Sequence, residues 1–231
     1  MTPSSDDDAV ERLRYSWQAN ADAWTRAVRE QRIESRCAGT DAAIVDAVLA
    51  GGARRVLDLG CGEGWLARAL AAQGLDVVGV DASATLVDAA RGLGGARFEC
   101  ASYADLAADP AAFGVFDAVA CNFALLDADL HTPLRAAHAC LQPRGRLFVQ
   151  TLHPLTVDAP YADGWRVEHF AGLDGFGEPM PWYFHTLSGW FDALHAAGFV
   201  VDGLHEPPDP VSGRSLSLLL RASLQQLREP R

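Results

Sequence analysis

A chain of 231 residues can bury one substantial core and suits a single α/β domain spanning residues 1–231. Apolar residues make up 49 % and charged residues 21 %, and no apolar run nears the ~20 residues of a bilayer span, so a membrane protein is excluded and a soluble cytoplasmic one expected. The net charge of −11 opposes nucleic-acid phosphate, and all nineteen cations are arginine, which removes Schiff-base and P-loop chemistry that needs lysine.

The opening residues Met1–Asp8 hold three aspartates and no apolar core, unlike a secretory signal or a basic transit peptide. Helical patterning runs from about Ala9 to Val28, and a second helix is predicted over Asp41–Leu49 before Gly51 and Gly52 end it. Residues 1–50 are thus a helical lead. Within it Trp17 and Trp24 lie seven apart on one face, where they either close over a bound cation or pack as core.

Arg55–Leu59 is a short apolar run closed by glycines, and the amphipathic segment Trp65–Ala72 follows it: strand, tight turn, helix. Leu75–Val80 repeats the strand pattern and ends at Asp81, with Ser83 placed to cap a helix carrying Leu86, Val87 and Ala90. Further strands are predicted over Arg97–Cys100, Phe116–Asn122 and Arg144–Leu152, with a helix over Pro133–Leu141 before the last. A helix over Trp190–Ala197 stops at Gly198, and strands over Phe199–Leu204 and Ser215–Arg221 close the chain. The alternation predicts a doubly wound α/β fold: a mostly parallel, Rossmann-like sheet of seven strands with helices on both faces.

Between Leu152 and Leu187 the regular pattern breaks. An irregular insert of this length is usually a lid or binding loop, and it concentrates Tyr161, Trp165, Phe170, Phe176, Trp182, Tyr183 and Phe184. Residues 153–185 read as a substrate cap, with a satellite core under a long loop as the equal alternative. The five cysteines form no CxxC pair and are odd in number, so neither a metal site nor a disulfide framework is indicated.

Chemistry concentrates in Val56-Leu57-Asp58-Leu59-Gly60-Cys61-Gly62-Glu63-Gly64-Trp65. Three alternating glycines between strand and helix let backbone approach a ligand closely. Trp65 stands where a dinucleotide fingerprint wants glycine or alanine, which disfavours a nicotinamide cofactor. Asp81 ends the next strand, at the sheet edge where a carboxylate can accept from both hydroxyls of a ribose.

These residues resemble the class I S-adenosylmethionine (SAM)-dependent methyltransferases from about Arg54 to Leu152. Asp58, Gly60, Cys61, Gly62 and Gly64 are similar to the family's first motif, and the strand end at Asp81-Ala82 to its second. The resemblance implies SAM as cofactor, with Ser102 and Tyr103 flanking the adenine and Asn122 and Phe123 beside the methionine end. Ser102 departs from the acid common at its position. The resemblance also makes Trp24 a candidate partner of the sulfonium, Asn122 alternatively a cap, and Arg29, Arg32 and Arg36 candidate partners of the cofactor carboxylate or a solvated face.

If the accepting atom must lose a proton, histidine is the usual base near neutral pH. His153 directly follows the fifth strand at the ligand edge and is the first candidate, and His185, beside Trp182 and Tyr183, is the second; either could instead shape the pocket. Asn122-Phe123-Ala124-Leu125 lacks the Pro-Pro segment of amino-methylating DNA enzymes, so with the acidic charge a small-molecule acceptor is expected and nucleic acid is not. The rivals are an aminopropyltransferase-like enzyme and a non-catalytic SAM-binding protein on the same fold.

Overall fold

The computed structural model describes residues 6–225. Of the acidic opening, residues 1–5 lie outside that range. Asp6, Asp7 and Asp8 form the first turn of α1 (Asp6–Ala19), where negative charge complements the helix dipole. The single helix expected over Ala9–Val28 is two, α1 and α2 (Ala21–Arg29), broken at Asn20. The cause is distant in sequence. Asn20 Oδ1 accepts from the backbone N–H groups of Gly177 and Glu178 at 3.0 and 3.3 Å, and its Nδ2 donates to Glu178 O at 2.7 Å.

A π-helical turn (Arg36–Thr40) leads into α3 (Asp41–Ala50). The body then runs β1 (Arg55–Leu59), α4 (Trp65–Ala72), β2 (Asp76–Asp81), α5 (Ala84–Leu93), β3 (Arg97–Cys100), α6 (Tyr103–Ala108), β4 (Phe116–Asn122), α7 (His131–Cys140) and β5 (Leu141–Thr151). It closes with α8 (Leu187–Ala196), β8 (Phe199–His205) and β9 (Leu218–Leu224). Seven strands pair in the order β3-β2-β1-β4-β5-β9-β8, parallel except where β9 runs against β5 and β8. That is the doubly wound sheet expected from the alternation of elements.

The central strands are apolar on both faces because helices cover both. Ile44, Val48, Leu66, Leu70 and Val87 from α3, α4 and α5 pack with Val56, Ala118 and Phe148 on one face. Leu106, Leu134, Ala137, Trp190 and Leu194 from α6, α7 and α8 pack with Leu57, Val119 and Leu147 on the other. Crossovers of this kind leave the carboxyl ends of β1, β2, β4 and β5 on one edge, where open α/β sheets take ligands.

Several elements differ from the sequence expectation: α7 starts at His131 rather than Pro133 and α8 at Leu187 rather than Trp190, and larger differences fall in β5, β9 and the insert. β5 begins at Leu141, because residues 142–145 bulge against β4 where Asp117 accepts from Gln142 Nε2. β9 begins at Leu218, because residues 215–217 belong to a loop in which Leu216 N donates to Pro207 O. The insert is not wholly irregular: β6 (Gly164–Glu168) and β7 (Met180–Phe184) form an antiparallel hairpin. Pro181 sits on this two-stranded edge, where a missing donor is tolerated.

The hairpin and the lead helices share a satellite core of Leu13, Leu126, Phe170 and Met180, with Trp17, Trp24, Phe176 and Trp182 packed on it. Asn20→Ala would strip three bonds from the joint between lead and hairpin and remove the acceptor of the Gly177 and Glu178 N–H groups, while Ser16 Oγ still donates to Glu178 O. We expect a loss of roughly 2–4 kcal/mol in stability by chemical denaturation, at about 1 kcal/mol per bond lost. A variant within 0.5 kcal/mol of wild type, about the range of an inert surface change, would show that the joint carries no load.

Candidate functional site

The glycine turn after β1 is set by its own backbone. Gly60, Gly62 and Gly64 have φ of 79°, 54° and 83°, a left-handed run that side chains resist. The three serve different ends. A Cβ on Gly60 would lie 2.4 Å from Ala124 Cβ and 2.8 Å from Tyr103 Oη, so this glycine admits the loop after β4 and the Tyr103 phenol. A Cβ on Gly64 would strike the Phe98 ring at 2.5 Å, so this one admits core. Gly62 faces open space, with nothing within 4 Å of its Cβ position.

Beside that space Asp81 ends β2. Its Oδ2 accepts from Gly62 N at 2.9 Å and its Oδ1 from Ser83 N at 2.8 Å, and burial raises its pKa. Each carboxylate oxygen has a second lone pair, so both can still accept from a ligand diol. Ala82 is exposed on the loop to α5. Cys61, by contrast, turns into the core beside Gly79 and Phe98, and burial pushes its thiol pKa up, so it stays a protonated packing group.

Asp58, at the end of β1, is 1 % exposed and accepts from Ala67 N at 3.1 Å. Burial first, then the charges of Asp81 and Glu63, raise its pKa to about 7. A folded-state pKa above the ordinary 3.8 means that the fold binds the extra proton. The stability contribution is therefore full near pH 4 and lost as pH rises through about 7. We expect thermal unfolding of the ligand-free protein to show a falling trend across that window which Asp58→Asn removes; identical profiles for the two proteins would contradict the assignment.

Tyr103 and Ser102 open α6. The Tyr103 hydroxyl donates to Ala124 O at 3.2 Å, so its ring spans from α6 to the loop after β4, and burial raises its pKa well above 10.0. Ser102 is committed to a capping box: its Oγ accepts from Asp105 N at 3.2 Å and donates to Asp105 Oδ2 at 2.7 Å. Asn122 ends β4 and its Oδ1 accepts from Gln150 Nε2 at 3.0 Å. Phe123 follows at φ 50°, a left-handed conformation uncommon for a bulky residue, held by its N–H to Gln150 O at 2.8 Å.

Trp24 stacks on Trp17 at 5.3 Å and meets Phe170 and Phe176 edge-on, with its indole N–H buried and unpartnered among the described residues. The three lead arginines all have protein partners. Arg29 pairs with Glu63 at 3.0 Å and reaches Ala89 O at 2.9 Å. Arg32 pairs with Glu30, and Arg36 with Asp41 while lying over Trp65. Glu63, in the middle of the turn, is 3 % exposed between Arg29 and Arg68. It ties the lead to the glycine turn.

The two candidate bases differ. His153 is 2 % exposed; its Nδ1 accepts from Leu155 N at 3.2 Å and its Nε2 donates to Glu206 Oε1 at 2.5 Å, so both nitrogens are engaged. His185 uses one nitrogen: Nε2 donates to Asp127 O at 2.9 Å, which fixes the tautomer and leaves the Nδ1 lone pair. Burial lowers its pKa and keeps it neutral. A cleft of about 300 Å³ opens beside it between Asp129, His131, Asp163 and Tyr183. No group of three metal-ligating side chains occurs among the described residues, and no helix there is long and apolar enough to cross a membrane.

The open face at Gly62, the Asp81 carboxylate and the donors and ring beyond β3 and β4 fit a nucleoside with an amino-acid tail, which SAM is. A family model described as a methyltransferase domain matches residues 56–145. Over 110 residues the chain is 38 % identical to the ubiquinone biosynthesis O-methyltransferase of Xanthomonas axonopodis pv. citri (strain 306), covering 43 % of each. It is 41 % identical over 110 residues to that of Xylella fastidiosa (strain 9a5c), covering 43 % of this chain and 42 % of the relative. The match thus spans less than half the length of these curated relatives.

Among solved structures, a SAM-dependent methyltransferase from Mesorhizobium loti superposes with TM-score 0.56 at 24 % identity, covering 73 % of this chain and 89 % of that one. The Burkholderia thailandensis 1,6-didemethyltoxoflavin-N1-methyltransferase, with bound 1,6-didemethyltoxoflavin and S-adenosylhomocysteine, gives 0.62 at 22 %, covering 96 % and 92 %. At such identities these likenesses speak for the fold. The glycine turn, the acid at the end of β2 and the matched model together mark residues 56–145 as similar to a methyltransferase domain, on a fold shared with SAM-dependent methyltransferases.

Proposed function

We propose that the chain transfers the methyl group of SAM to a small organic molecule held between the sheet edge and residues 153–185, which with the helical lead belong to one catalytic domain. The observation that carries the reading is the open face at Gly62 beside Asp81, at the edge over which the aromatic lead–hairpin unit packs. Bound SAM supplies an electrophilic methyl on sulfur, and transfer is a direct displacement that positioning alone can speed greatly. Tyr103, Asn122 and the Asp81 carboxylate orient the cofactor, while the cap aromatics exclude water.

His185 is the better candidate base, because its Nδ1 lone pair is free and burial keeps the ring neutral. His153 shapes the root of the cap through Glu206 and Leu155. The names of the curated relatives favour oxygen as the accepting atom. The net charge of −11 without lysine argues against a nucleic-acid acceptor, and five free cysteines suit a reducing cytosol.

Incubation with methyl-labelled SAM and an extract divided into small-molecule, protein and nucleic-acid fractions tests this. Label is expected in the small molecules, and its appearance only in another fraction would refute the reading. On the acceptor so found, His185→Ala should lower turnover by about 10²–10⁴-fold with SAM affinity unchanged. His153→Ala should instead lower thermal stability. Full turnover in the His185 variant would remove its role.

A further inference from the structure

Gln150 has no counterpart among the residues that the sequence motifs single out, yet it is 1 % exposed at the ligand edge of β5. It is the register partner of Asn122 on β4, so the two side chains share a face of the sheet. Asp58 pairs with Ala120 on that same face, which sets Asn122 two residues further out, level with Gly60.

Gln150 Nε2 donates to Thr40 O at 2.9 Å and to Asn122 Oδ1 at 3.0 Å. A backbone carbonyl can only accept, so the bond to Thr40 obliges the Gln150 amide to present its nitrogen on that side. The second N–H of the same nitrogen then demands an acceptor from Asn122. The Asn122 oxygen is committed to the interior, and its NH₂ group is left at the other end of the amide. That group makes no hydrogen bond to any described residue.

The three lead arginines that would serve as carboxylate partners are engaged with Glu63, Glu30 and Asp41. Asp58, Glu63 and Asp81 crowd the turn with acids. A carboxylate entering there needs donors that are held in place and cannot rotate to show an oxygen. Asn122, locked by Gln150, offers such donors.

We propose that Gln150 is a positioning residue that fixes the polarity of the Asn122 amide, so that the site beside Gly60 selects a cofactor bearing a carboxylate on its amino-acid tail and rejects the decarboxylated form. The inference rests on the methyltransferase reading and deepens it. It also separates this chain from enzymes that take decarboxylated SAM, since an aminopropyl tail has no acceptor to offer Asn122.

The test compares calorimetric binding of S-adenosylhomocysteine with that of its decarboxylated counterpart, whose tail is a plain aminopropyl thioether. Wild type should prefer the carboxylated nucleoside by roughly 10- to 100-fold, the size of a charge-assisted hydrogen bond. Asn122→Asp keeps both Gln150 bonds and replaces the donors by a charge. Gln150→Glu removes the donation to Thr40 O and lets Asn122 turn. Each should bring the preference to within about threefold by weakening only the carboxylated ligand, since the paired donors are lost.

A merely structural Gln150 would lower both affinities together and leave their ratio intact. Equal binding of the two nucleosides by wild type, or a preference that survives in both variants, overturns the proposal while leaving the methyltransferase reading standing. Failure of wild type to bind either nucleoside overturns both.

Discussion

Asp81→Ala is expected to weaken SAM binding by roughly 2–3 kcal/mol, a loss of about 30- to 150-fold in affinity, because a carboxylate that accepts from neutral hydroxyls forms charge-assisted bonds. The effect has a second source. Asp81 also holds Gly62 N and Ser83 N, so alanine frees the turn and the start of α5 that the ligand must find in place. Asp81→Asn retains one acceptor and should fall between alanine and wild type. Calorimetry reads the affinities, and the far-ultraviolet dichroism spectrum should stay that of the wild type. Unchanged affinity in the alanine variant would remove Asp81 from the site.

Gly60→Ala and Gly62→Ala form a matched pair: both should lose affinity, but they should differ in stability. Both positions are left-handed, so each methyl costs about 1–2 kcal/mol in backbone strain. At Gly62 the cost ends there, because the methyl meets no protein atom; it projects into the space we assign to ligand. The variant should fold with slightly reduced stability and lose SAM affinity. At Gly60 the methyl would lie 2.4 Å from Ala124 Cβ and 2.8 Å from Tyr103 Oη. Overpacking adds about 1–3 kcal/mol, and the displaced loop carries Phe123 and the acceptor of Tyr103 with it, so stability and binding should fall together. Denaturant unfolding beside calorimetry separates the two. A Gly62 variant that binds SAM like wild type would show that the ligand does not cross this face.

The pattern of what was legible follows from how local each cause is. β1, α4, β3 and β4 have the boundaries read from sequence, because apolar runs and glycines mark both ends within a few residues. Asn20 fits a helical pattern perfectly well; the break there is imposed by Gly177 and Glu178, more than 150 residues away. The hairpin was hidden by Pro179 and Pro181, which count against a strand unless it is known to be an edge.

At the site, glycine spacing located the turn but could not assign its three glycines to loop, ligand and core, since that depends on Ala124, open space and Phe98. Position after the fifth strand favours His153 over His185 in the sequence. What separates them is the number of ring nitrogens already bonded, a property of Leu155, Glu206 and Asp127. Glu63 and Gln150 carried no signal because their importance comes from burial and from partners brought by other elements.

The most direct test of the account is a crystal structure of the chain with S-adenosylhomocysteine. It should place the ribose hydroxyls on Asp81, the adenine against Tyr103, and the amino-acid tail past Gly62 to the Asn122 amide. Density for the nucleoside at another edge of the sheet, or none at saturating ligand, would contradict it.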